Sequence, residues 1–317
     1  MKKLFLAGLL FCSMFAFAQE PAGSPDAVDP AASFTPSIAP KIDSNHWKKA
    51  FKLGLNMNQA SFSSNWKGGG ISSIAYMAFL NGTVDYAFEK VSFNNLLDLQ
   101  FGAVNNKNSG FFKNVDKIYF DSKLGYALSK HWNLYVAVNF QTQFYEGYVI
   151  KSVNKSDTSL YISNFMSPGY LTESFGLEYK PVTWLYVRFG TGTMRQTFVT
   201  AKNIDQAETK NYGVDSGKTV RNEVAFMLQI GLDKDLTKNI NFKARYMGFA
   251  NYMVPKTARN RGITFFDYID HRLDATLTAK ITKYISTNVN ATVLYDYDQD
   301  NGPQIAQSLG LGVLITF

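Results

Sequence analysis

The chain has 317 residues, a formal net charge of +7 and a mean hydropathy of −0.15, yet 15% of it is aromatic, with 26 Phe and 18 Tyr. Its only cysteine is Cys12, which leaves no disulfide framework and no thiolate metal site. The positive charge is scattered, without the compact basic patch that nucleic acid requires, and past the N-terminus no run of about 18 apolar residues occurs to form a transmembrane helix.

The N-terminus reads MKKLFLAGLLFCSMFAFAQE. Lys2 and Lys3 precede a short apolar stretch, and Ala16-Phe17-Ala18 supplies an A-x-A cleavage site. Residues 1–18 are therefore predicted to be a secretory signal peptide. Phe11 is bulky where a lipoprotein signal needs a small residue before Cys12, which argues against lipidation. Residues 19–45 hold five of the nine prolines: Pro21, Pro25, Pro30, Pro36 and Pro40. They read as a flexible, partly extended periplasmic linker, which either solvates the N-terminus or holds a partner.

From residue 46 onward, apolar residues recur at every second position. Phe51, Leu53, Leu55 and Met57 share one face, while Lys52, Gly54, Asn56 and Asn58 share the other. The same alternation continues through Ile74–Phe88, Phe93–Phe101, Ile118–Leu128, Trp132–Phe144, Leu171–Tyr179, Leu185–Phe189, Val224–Leu232, Ile240–Tyr252, Leu273–Ile281, Val289–Tyr297 and Leu309–Phe317. These are twelve half-buried strands. Alternation by itself also suits a soluble sandwich, but three features separate the two.

The first is that connections alternate in length. Short turns fall near Glu89-Lys90, Ser129-Lys130, Lys180-Pro181, Thr237-Lys238 and Thr282-Lys283. Long loops run roughly over 59–70, 104–116, 146–170, 195–220, 253–266 and 298–305. Short periplasmic turns and long outer loops mark outer-membrane barrels. The second is parity: an even strand number returns the C-terminus to the side on which the barrel began. The third is the last strand, which ends in the aromatic Phe317, as strands recognised by the barrel-assembly machinery do. The fold expected over 46–317 is thus all-β, a transmembrane antiparallel up-and-down barrel, because strands cross lipid only when every backbone polar group is paired. Phe88, Phe93, Trp132, Tyr179, Phe242 and Phe317 would form one aromatic girdle. Phe144, Tyr252, Tyr295 and Tyr297 would form the other.

SFSSNWKGGG (61–70) falls in the first outer loop. It follows no parallel strand and opens no helix, so it is not a phosphate-cradling loop. The faces opposite the lipid carry Asp85, Asp98, Lys117, Asp121, Lys123, Arg188, Glu223, Lys243, Arg245, Arg272, Asp274 and Lys280. These lumen residues either pair and plug the barrel or line a narrow aqueous path. Asp296, Asp298 and Asp300 alternate in DYDQD. They form either a weak oxygen site for Ca²⁺ or a solvated acidic rim. Of the histidines, His46, His131 and His271, only His271 lies near an outer loop. Its parity points it to lipid, and no serine stands beside it to suggest a hydrolase, so no enzyme activity and no cofactor are expected. Phe62, Trp66, Phe111, Phe112, Tyr148, Tyr161, Phe165 and Tyr170 place aromatics in the outer loops, either as a partner surface or folded inward as a plug.

SNWKGGG, VDKIYFDSKLGYALSKHW (115–132), NFQTQFYEGY (139–148), ISNFMSPGYL (162–171) and TKYISTNVNATVLYDYDQD (282–300) together resemble an uncharacterised family of outer-membrane β-barrel proteins of Bacteroides-like bacteria, a domain of unknown function. The family's NWxxGG element matches at Asn65, Trp66, Gly68 and Gly69, its TQF element at Thr142, Gln143 and Phe144, and its YDxD element at Tyr295, Asp296 and Asp298. The resemblance implies an outer-membrane barrel over roughly 46–317 and assigns no activity. The expected function is a narrow pore for small polar solutes. The alternatives are a closed structural or adhesion barrel working through its outer loops and, behind both, a surface lipid hydrolase.

Overall fold

The computed structural model describes residues 46–61, 63, 72–107, 110–153, 156–205, 209–252, 264–282, 285–298 and 302–316. The signal peptide and linker (1–45), Asn65, Trp66, Gly68 and Gly69 of the first loop, Asp300 and the terminal Phe317 lie outside the described residues.

Fourteen strands are present among the described residues: β1 (Trp47–Ala60), β2 (Ser73–Phe88), β3 (Val91–Asn106), β4 (Gly110–Ala127), β5 (Trp132–Thr142), β6 (Gly147–Val153), β7 (Ser156–Ser163), β8 (Gly169–Val182), β9 (Leu185–Phe198), β10 (Val220–Asp235), β11 (Ile240–Asn251), β12 (Ile269–Lys280), β13 (Ile285–Tyr295) and β14 (Gln304–Thr316). Twelve of them form a closed antiparallel barrel in which each strand pairs with its neighbour in sequence, apart from the β5–β8 step. Closure is made by β1 on β14, with Leu53 opposite Ile315 and Leu55 opposite Val313. Every edge of the barrel sheet is thereby paired.

Three expected connections are corrected. The 104–116 connection is not a long loop: β3 runs through Asn106 and β4 starts at Gly110. The 146–170 loop contains its own antiparallel hairpin, β6 on β7, off the barrel. The turn placed at Lys180-Pro181 falls instead at Thr183-Trp184, because β8 continues to Val182. The pairing of β8 with β9 shifts register between Tyr179 and Val182, and a bulge is where a proline without an N–H can sit in a sheet.

Alternation sorts the side chains as the sequence predicts, and the sorting is inside out. Phe51, Leu53, Leu55, Met57, Leu97, Phe120, Leu124, Val136, Phe175, Leu273, Val289 and Val313 point outward and are exposed. Asp98, Lys117, Lys123 and Glu178 point inward and are buried. Aromatic pairs flank the apolar belt. At the short-turn end Trp47 packs on Tyr86 with ring centroids 4.9 Å apart, and Trp132 packs on Tyr179 at 4.8 Å. At the long-loop end the Tyr252 hydroxyl donates to the Thr191 carbonyl (2.6 Å) and the Tyr295 hydroxyl to the Asp267 carbonyl (3.0 Å). Tyr297 leaves the expected girdle: its ring packs on Tyr268 of a 3-10 turn (Phe266–Tyr268) at 5.8 Å.

A small apolar core is built by the connections at the long-loop end. Val199, Ile204, Tyr212 and Val214 pack together with Tyr161 and Ala201. The Tyr212 hydroxyl donates to the Ile162 carbonyl (2.7 Å), tying the 199–219 connection to β7.

The lumen as candidate functional site

The inward faces of the strands carry the chemistry. Period-two geometry sends alternate side chains into the lumen, where a charge is tolerated only if it is paired or wet. The pairs fall into three tiers.

Nearest the short turns, Glu178 on β8 is a hub. It takes Lys123 of β4 at 3.0 Å, Arg188 of β9 at 2.6 Å and Lys180 at 2.9 Å. Arg188 donates onward to Gln229 (3.2 Å) and lies over the Tyr186 ring at 4.4 Å. On the same side Lys243 pairs with Asp233 at 3.0 Å, and Asn94 donates to Asp85 at 2.8 Å. Lys280 stands exposed at the end of β12.

In the middle tier, Lys117 pairs with Asp98 at 3.1 Å. Arg245 of β11 and Arg272 of β12 share one carboxylate, Asp274, at 3.2 and 3.0 Å. The Thr292 hydroxyl also donates to Asp274 (3.0 Å). Arg245 Nη1 donates to the Tyr119 hydroxyl at 3.1 Å. Tyr119 belongs to β4, almost opposite β11 in the barrel order. This single hydrogen bond therefore spans the lumen.

In the tier nearest the long loops, Arg195 of β9 is shared by Glu223 (2.9 Å) and Asp270 (2.7 Å). Arg221 is shared by Glu223 (2.8 Å) and Asp298 (2.6 Å). The Tyr268 hydroxyl donates to Asp298 at 2.6 Å. Burial and the neighbouring Asp298 push the Tyr268 phenol above its ordinary value, so it stays a donor. Beyond the end of β13, burial raises the Asp296 carboxyl, with Asp298 adding to the effect.

Between the upper and middle tiers lies a cavity of about 670 Å³. Its wall includes Lys113, Asp116, Lys117, Tyr119, Asp121, Arg188, Arg195, Arg245, Asp270, Arg272 and Asp296, and Ile162, Ser163 and Pro168 of the inturned third loop border it. A second void of about 30 Å³, reaching Asp85, Asn94 and Lys123, lies on the short-turn side. Tyr119, Asp121, Arg188, Gln229 and Arg245 border both. The Arg245–Tyr119 bar is thus the partition between chamber and void.

The predicted lumen residues are brought together as tiers, apart from Lys280, which stays exposed at its strand end. Sequence reading omitted Glu178, Arg195 and Asp270. Glu178 was within reach, since Leu177 and Tyr179 on either side face outward. Asp270 likewise follows from the outward His271. Arg195 was hidden by a bulge: Gly176 pairs with Gly190 but Phe175 with Gly192, so one extra residue flips the inward set of β9 from Tyr186 and Arg188 to Thr193 and Arg195. The glycines around Thr191 are the only local sign of it.

Asp296 and Asp298 are not gathered into a metal site among the described residues, and Asp300 lies outside them. Asp298 is committed to Arg221 and Tyr268, Asp296 accepts from the Asp298 backbone N–H at 2.9 Å, and among the described residues no three metal-ligating side chains gather. His271 faces outward, its Nδ1 2.8 Å from the Tyr246 hydroxyl, while Asp270 beside it turns inward to Arg195. The two therefore do not form a catalytic pair.

Residues 57–148 match the model of a family described as Protein of unknown function (DUF3078). That stretch contains the NWxxGG and TQF elements; YDxD lies beyond it. No curated protein matches. Among solved structures, the translocator domain of the autotransporter NalP from Neisseria meningitidis is 11% identical, with 87% of this chain and 90% of that chain covered and a TM-score of 0.40. An outer membrane channel from Pseudomonas putida F1 is also 11% identical, covering 87% of this chain and 100% of that one, with a TM-score of 0.40. The NanC porin is 8% identical over 84% of this chain and 98% of that one, with a TM-score of 0.36.

Proposed function

We propose that the chain is an integral outer-membrane barrel, exported by its signal peptide, that admits small polar solutes from the long-loop end and passes them through a narrow, side-chain-gated lumen. The closed sheet and the outward apolar belt support the membrane setting: hydrocarbon accepts strands only when no backbone group is left unpaired, and a soluble protein does not expose apolar surface on this scale.

The observation that carries the reading is how the 670 Å³ chamber ends. Its floor is partitioned by a cross-lumen hydrogen bond, Arg245 to Tyr119, rather than by a packed apolar core. A hydrogen bond to a charged group has a net worth of about 1.5–3 kcal/mol. A solute that offers Arg245 an equivalent acceptor can replace it.

Single-channel recording of the refolded protein in a planar bilayer tests this. Discrete conductance steps are the expected result. Silence across voltage and pH, with the barrel shown to be folded, would overturn passage. It would favour a closed barrel whose working surface is its outer end, where Phe111 near the start of β4 and Phe266 of the 3-10 turn are 71% and 77% exposed.

A further inference from the structure

The two tiers that border the chamber group their charges in opposite ways. In the upper tier, two guanidinium groups, Arg195 and Arg221, face four carboxylates among the described residues: Glu223, Asp270, Asp296 and Asp298. In the middle tier, two guanidinium groups, Arg245 and Arg272, converge on the single carboxylate Asp274, while Lys117 and Asp98 balance each other and Asp121 faces Arg188 on the same wall. Asp270, Asp296, Arg245 and Arg272 all border the same cavity.

The spacing sets the size of what fits. Asp270 and Arg272 are two residues apart on β12 and share its inward face, which separates them by about 7 Å. Two extended peptide residues also span about 7 Å. A guanidinium pair is matched to a carboxylate by its planar fork of donors. Crowded carboxylates gain from a cation placed among them, since like charges otherwise oppose one another's ionisation. The cavity volume falls in the range of small-molecule sites, about 300–1,000 Å³.

We propose that the chamber is a binding site for zwitterionic short peptides of dipeptide length. The peptide ammonium sits against Asp270 and Asp296, and its carboxylate sits on Arg245 and Arg272. This rests on the reading of the lumen as a solute path and names its substrate class.

The test is calorimetric titration of the full refolded protein in detergent with L-alanyl-L-alanine, its N-acetyl derivative and its C-terminal amide. The expected result is saturable binding of the dipeptide, with each capped form at least about tenfold weaker, a loss of about 1.4 kcal/mol. Arg272→Gln should lower dipeptide affinity by a similar factor and erase the difference between the dipeptide and its amide. Asp270→Asn should erase the difference between the dipeptide and its N-acetyl form, and Asp296→Asn gives the same readout should the first variant not fold. A capped form binding as tightly as the dipeptide, or no binding by folded wild-type protein, would overturn the proposal. Conductance without dipeptide binding would sink this site and leave passage standing. Binding without conductance would do the reverse.

Discussion

Replacing Glu178 by Gln should destabilise the barrel more than any other single change to the lumen charges. The substitution keeps the side-chain shape and an acceptor oxygen but removes the charge that holds three cations. Lys123, with 1% of its side chain exposed, and Arg188, with 7%, are left buried beside a neutral amide. Removing one partner of a buried ion pair costs about 3–5 kcal/mol. Lys180 is 19% exposed and adds little, because a partly solvated pair is worth only about 0–1 kcal/mol. Arg188 retains Gln229 and the Tyr186 ring, so the largest share falls on Lys123. The expected loss is therefore about 3–5 kcal/mol, or roughly two to three and a half decades in the unfolding equilibrium at about 1.4 kcal/mol per decade. Urea unfolding in lipid vesicles, followed by tryptophan fluorescence, reads it directly. Adding Lys123→Met to the variant should recover much of the loss, since replacing a buried pair by apolar side chains is often neutral. A loss under about 1 kcal/mol in the single variant would show that water, not Glu178, compensates these cations.

Arg245→Ala should raise single-channel conductance by joining the chamber to the void beneath it, with Tyr119→Phe, which loses only the hydrogen bond, giving a smaller rise; unchanged conductance in both would mean that the path does not cross the bar. Leu55→Arg, at a site 59% exposed in the middle of β1, should cost about 2–4 kcal/mol of stability in vesicles if it faces hydrocarbon, and a negligible cost would argue that this face does not meet lipid. Gly176→Ala should cost about 1–3 kcal/mol, because a Cβ there would run into the Phe189 carbonyl oxygen. Gly192→Ala, which opens onto empty space, should change the unfolding midpoint little; equal effects at the two glycines would refute the β8–β9 bulge geometry.

How much was legible varies along the chain. The inward placement of Asp98, Lys117, Lys123 and Asp274 follows from their apolar neighbours, because a strand turns every second side chain to the same face whatever the rest of the protein does. The strand number in the barrel and the inside-out sorting of charge follow from the same local period. The β6–β7 hairpin was less legible: its short runs sit in a segment that long-loop spacing alone marks as irregular.

What the sequence by itself determined is therefore the barrel and, away from the bulges, the face each residue shows. Both are set by a repeat of two residues and by the requirement that backbone groups pair. What only the tertiary structure decided is which charges meet. Arg245 and Tyr119 stand 126 positions apart, and Lys123 reaches Glu178 over 55. Such meetings depend on how closure staggers the strands and on where a bulge adds a residue and flips a face, as at Arg195. Neither stagger nor bulge leaves a trace in the alternation of single strands, so the tiers, the bar and the chamber emerge only once the sheet is closed.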